Sequence, residues 1–116
     1  MRLSAGGSSV RGPAHVQEGA PNQDALCIRG LKGGWCIAVA DGLGSRPLSH
    51  YGSARAVRLF RQLARQGSDL KHDKVGCALR DAWLNRFGAR HSAYETTCIW
   101  ALVDACGKGV AGQIGD

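Results

Sequence analysis

The chain has 116 residues, 44% hydrophobic and 21% charged, with a formal net charge of +6. That length allows one domain with a modest core, and that composition excludes wholesale disorder. No run approaches the ~18–20 apolar residues of a membrane span, and residues 1–10 lack the sustained apolar region of a signal peptide.

Five cysteines stand at 27, 36, 77, 98 and 106, with no C-x-x-C pair among them. An odd number at wide spacing argues against a disulfide framework or a structural zinc site. Cys27, Cys36 and Cys98 lie in apolar runs, where a reduced thiol packs as a small hydrophobe. A reducing, cytoplasmic setting is expected. Nor does any cysteine have arginine six positions on, so a phosphate-cradling C-x5-R loop is excluded.

In chain order, residues 2–9 alternate weakly and form a possible first strand. Residues 11–21 carry two prolines and two glycines and read as a loop. His15 in that loop reads as an exposed polar residue. A short strand follows Asn22-Gln23-Asp24 over 25–28. Gly33 and Gly34 supply a turn, and residues 35–40 return as a second strand. The second strand, Trp35 to Ala40, is apolar, rich in small and β-branched residues, and ends at Asp41-Gly42. It reads as a buried strand of a hairpin.

Residues 49–65 are helical. Ala54, Val57, Phe60, Leu63 and Ala64 form the apolar stripe, with Arg55, Arg58, Arg61 and Arg65 opposite as a solvated face. Gly67 and Ser68 break that helix. A second is expected over 69–87, capped by Asp69, stopped by Gly88, and apolar at Val75, Ala78, Leu79, Ala82 and Trp83. Residues 88–95 read as loop. Strands are expected at 96–103 and 109–114, joined by a turn at 104–107 and followed by Gly115-Asp116.

One geometric inference stands on the hairpin alone. Asp24 opens its first strand and Asp41 closes its second, so both carboxylates lie at one end of the sheet. Two converging acids suit a hard, oxygen-preferring cation such as Mg²⁺ or Mn²⁺. The local alternative is that Asp41-Gly42 is simply a turn.

Asn22-Gln23-Asp24-Ala25, Val39-Ala40-Asp41-Gly42-Leu43-Gly44, Glu95-Thr96-Thr97 and Gly115-Asp116 occur in this order, joined by strands and helices. That series resembles the bacterial-type, metal-dependent protein phosphatase 2C family, over nearly the whole chain. The resemblance implies an α+β fold, a four-layer α/β/β/α sandwich, of which residues 1–116 would be the N-terminal part, with the C-terminal part absent. It implies a protein serine/threonine phosphatase that hydrolyses phosphoserine and phosphothreonine esters through a metal-activated water. Two Mg²⁺ or Mn²⁺ ions, with a third in some members, are implied as cofactors. By the same resemblance Asp41 bridges both metals, Gly42 offers its carbonyl, Asp24 reaches one ion, and Asp116 belongs to the third. Asp24 and Asp41 are thus the implied catalytic residues. The implied partner is a phosphorylated protein, the product of a serine/threonine kinase, with neither nucleic acid nor membrane involved.

The chain departs from the family pattern. Gly19, beside Glu18, stands where many members place a phosphate-binding arginine. Arg11 and Arg46 are the candidates to replace it. Ser45 replaces a glycine, and Glu95 replaces the glycine of G-T-T. A phosphatase-like binding or regulatory module without activity is therefore the alternative reading. A small basic nucleic-acid-binding protein is a third, resting on net charge alone.

Overall fold

The computed structural model describes residues 3–66 and 74–115. Four strands form one antiparallel sheet in the order β1-β2-β3-β4: β1 (Asp24–Leu31), β2 (Gly34–Gly42), β3 (Thr96–Val103) and β4 (Gly109–Ile114). The helices are α1 (Pro13–Glu18), α2 (Ser49–Gln66) and α3 (Val75–Phe87), with a 3-10 helix at Gly88–Tyr94.

The β1–β2 hairpin turns on two residues, Lys32 and Gly33, with φ of 46° and 84°. Two positive φ values give a turn whose twist matches the flanking strands. The alternation along β2 then decides the layers. Gly34, Cys36, Ala38, Ala40 and Gly42 are buried, while Trp35, Ile37, Val39 and Asp41 are not. The small side chains on the buried face let α2 lie close across β1, β2 and β3. Phe60 fills the space they leave and stacks on Trp100 of β3 at 5.6 Å between ring centroids. Val75 and Leu79 of α3 complete this core. The sheet is therefore half-buried, with its second face turned away from the helices. The described residues make one sheet and one helical layer, two of the four layers the resemblance implies.

Several expectations are corrected. Residues 3–9 form no strand. Trp35 Nε1 donates to the Leu3 carbonyl at 3.3 Å, so this segment meets the outer face of the sheet, where its backbone finds no ladder to join. The loop at 11–21 contains α1, because Pro13 suits the first helical position and Gly19, at φ 69°, closes the helix in the left-handed conformation. Residues 88–94 wind as a 3-10 helix held by Phe87 stacked on Tyr94. On α2 the buried stripe runs through Ser49, Gly52, Ser53, Ala56, Val57 and Phe60, and Ala54 is exposed. Arg61 is not on the solvent face, since its Nε is buried. The expected cap at Asp69 lies outside the described residues.

Candidate metal centre at the sheet end

Strand register places Asp24 directly opposite Asp41, and Asp41 directly opposite Thr97. Asp41 lies between Ala40 and Gly42, both buried beneath α2, so its carboxylate projects from the other face of the sheet. Directly paired strand residues lie about 5 Å apart at Cβ, so the two carboxylates share one site. The Asp24 carboxyl is raised above its ordinary 3.8. Loss of water contributes most, then a hydrogen bond between the two carboxyls and the charge of Asp41, with His15 of α1 opposing. Two acids held this way favour either a retained proton or a bound cation.

Backbone contacts fix the pair. Asn22 Oδ1 accepts the Asp24 backbone N–H at 3.1 Å, and Asn22 Nδ2 donates to Ser9 Oγ at 2.8 Å. The Gln23 carbonyl accepts from the Gly42 N–H at 3.0 Å and from Ser53 Oγ at 2.7 Å. Ser53, fully buried on α2, thus ties the helix to the two strand ends that carry the acids. A Cβ at Gly42 would stand 2.6 Å from the Gln23 carbonyl oxygen and 2.9 Å from Ser49 Cβ. Only glycine lets the helix start approach this closely. Thr97 Oγ1 donates to the Asp41 carbonyl at 3.3 Å.

A cleft of about 580 Å³ opens beside Asp41, lined by Gly42, Leu43, Gly44, Glu95, Thr96, Thr97 and Gly115. The Leu43 N–H donates to the Glu95 carbonyl at 3.0 Å, which holds the loop after β2 against the start of β3.

A sequence profile described as Protein phosphatase 2C matches residues 11–116. The chain belongs to the protein phosphatase 2C family. No curated protein and no solved structure matches it. In this phosphatase 2C chain the Asn22-Gln23-Asp24 and Asp41-Gly42 motifs meet at one sheet end, with Thr96-Thr97 beside them. Asp116 lies outside the described residues, although Gly115 before it lines the cleft.

The residues offered for substrate phosphate are engaged with protein partners. Arg46 Nε lies 3.4 Å from Glu95 Oε2, an ion pair without hydrogen-bond geometry. Arg11 Nη1 donates to the Ala20 carbonyl at 3.4 Å. Sequence reasoning missed Ser53, His15 and the Arg46–Glu95 pair. A serine on the core side of an amphipathic helix was the available signal for Ser53. The other two depend on contacts between separate elements.

The donor set fits a hard dication in kind, since Asp24 and Asp41 are adjacent oxygen ligands with mutual repulsion to relieve. In number it is sparse, because no group of three or more His, Cys, Asp or Glu converges among the described residues. Mg²⁺ in particular is commonly held by one or two carboxylates, with water or phosphate completing the shell.

Proposed function

We propose that this phosphatase 2C chain carries the acidic half of a metal-dependent protein serine/threonine phosphatase site. The observation that supports it is the pairing of Asp24 with Asp41 across the hairpin, on the face away from the helices. Asp41 and Asp24 would hold Mg²⁺ or Mn²⁺, with the Gly42 carbonyl and Asp116 as further ligands. When bound, such a metal lowers the pKa of water and stabilises charge on a transferring phosphoryl group. The Gln23 carbonyl, gripped by Gly42 and Ser53, keeps the two acids in register. Glu95 neutralises Arg46 at the cleft rim, which leaves Arg46 available to phosphate only by exchange of partners.

The test is Mn²⁺-dependent hydrolysis of a phosphothreonine peptide. Turnover that falls about 100-fold or more in Asp41→Asn supports the reading. Absence of turnover from a chain with a cooperative melting transition overturns it. The second reading, a phosphatase-like binding module, is favoured by that same Arg46–Glu95 pair and by glycine at position 19. It expects Mn²⁺ to raise the melting temperature without any hydrolysis.

A further inference from the structure

A second cleft, of about 370 Å³, lies on the helical layer between α2 and the α3–3-10 corner. Arg55 and Arg58 of α2 and Arg86 of α3 line it, together with Tyr51, Phe87 and Tyr94. Three guanidinium groups from two helices thus share one concave surface. Among the described residues no carboxylate pairs with any of the three. Helix α2 contains four arginines and no acid along its 18 residues. Like charges at i, i+3 spacing, as at 55 and 58, weaken a helix. Every cation on α2 is arginine rather than lysine, the side chain whose planar fork matches carboxylate and phosphate.

We propose that this cleft binds an anionic peptide segment, one bearing two or more carboxylate or phosphate groups. The aromatic residues favour a peptide over single-stranded nucleic acid. Phe87 is stacked on Tyr94 at 4.1 Å, meets Trp83 at 4.8 Å, and has Arg86 over its ring at 5.7 Å. Tyr51 is 58% exposed, yet its ring already lies 4.1 Å from that of His50. Phe87 and Tyr94 are thus walls covered by one another, whereas a nucleic-acid groove offers several free faces for base stacking. Tyr51 lies in the first turns of α2 and Tyr94 just precedes β3, so the cleft opens toward the end of the fold that carries Asp41 and runs away from it along α2.

The test is fluorescence anisotropy with the full chain in EDTA, which separates binding from hydrolysis. The probes are a labelled glutamate-rich peptide, a labelled peptide carrying two phosphothreonines, and an oligothymidine of equal charge. Both peptides are expected to bind, more weakly at higher salt. Arg55→Ala/Arg58→Ala/Arg86→Ala should weaken them roughly tenfold or more, since three guanidinium contacts are removed together. Arg55→Lys/Arg58→Lys, which keeps the charge, should show a smaller loss. Arg29→Ala, a cation of similar exposure on β1, should bind like the parent. Preference for one peptide identifies carboxylate or phosphate as the natural group. Absence of peptide binding, equal loss in Arg29→Ala, or tighter binding of oligothymidine overturns the proposal.

Discussion

Asp24 is partly stripped of water and faces Asp41, with the charge of His15 only partly opposing, and this has measurable consequences. The folded state holds the Asp24 proton more tightly than the unfolded chain, whose value is the ordinary 3.8. That contribution to stability is complete below 3.8 and lost as pH rises through the folded value. Asp24→Asn should therefore melt a few degrees higher than the parent at pH 7 without metal, with the difference shrinking toward pH 4. The same variant should lose most of the Mn²⁺-induced rise in melting temperature. Differential scanning fluorimetry across pH, with and without Mn²⁺, checks both. At the core, burial pushes the Cys98 thiol from 9.0 up to about 11. Its stabilising effect is present below pH 9.0 and lost as pH rises toward 11, about 3 kcal/mol in favour of the unfolded chain. At pH 8 iodoacetamide should label exposed Cys77 and Cys106 quickly and Cys98 only on unfolding, as mass spectrometry of timed samples would reveal.

Helix α2 is the element on which the site depends. Its buried stripe begins with Ser49, Gly52 and Ser53, small residues that bring the helix start against the ends of β1 and β2. Gly52 touches the backbone of Tyr94, and any Cβ there would collide with the Tyr94 carbonyl. Trp83 Nε1 of α3 donates to the Gly52 carbonyl at 3.0 Å, so three elements meet at this one residue. Gly52→Ala should cost about 1–3 kcal/mol through forced displacement, although alanine is the better helix former. Phe60→Ala should cost about 3–5 kcal/mol, because it opens a cavity against Trp100 and the small residues of β2. Urea denaturation of each variant measures both.

Among the described residues, one face of the sheet lies under α2 and α3 and the other does not. Val39 and Ile99, paired across β2 and β3, are 51% and 57% exposed, with Leu26 of β1 next to Val39. A contiguous apolar patch of this kind drives association. Val39→Thr/Ile99→Thr retains β-branched side chains while removing apolar surface, and should shift the chain toward monomer in sedimentation velocity with little change in stability. The face also carries the Asp24–Asp41 pair at its end.

The hairpins, both long helices and the pairing of Asp24 with Asp41 were legible from the amino-acid sequence, because they rest on local periodicity, on turn residues and on the arithmetic of a short connection. The apolar run over 35–40 marked a strand, and the short glycine-bearing link before it brought the two acids to one end. The turn itself falls at Lys32-Gly33 rather than Gly33-Gly34, and the alternation that decides which face of 34–42 is covered belongs to the structure. Other features depended on meetings between distant segments. The short helix at 13–18 and the 3-10 helix at 88–94 are stabilised by caps and ring contacts too brief for a periodic signal. Ser53 reaching the Gln23 carbonyl, Glu95 taking Arg46, and Arg86 joining Arg55 and Arg58 each bring together side chains from separate elements. Spacing within one element orders only its own side chains. Packing between elements decided which of these polar groups face one another, because burial and charge act through space rather than along the chain.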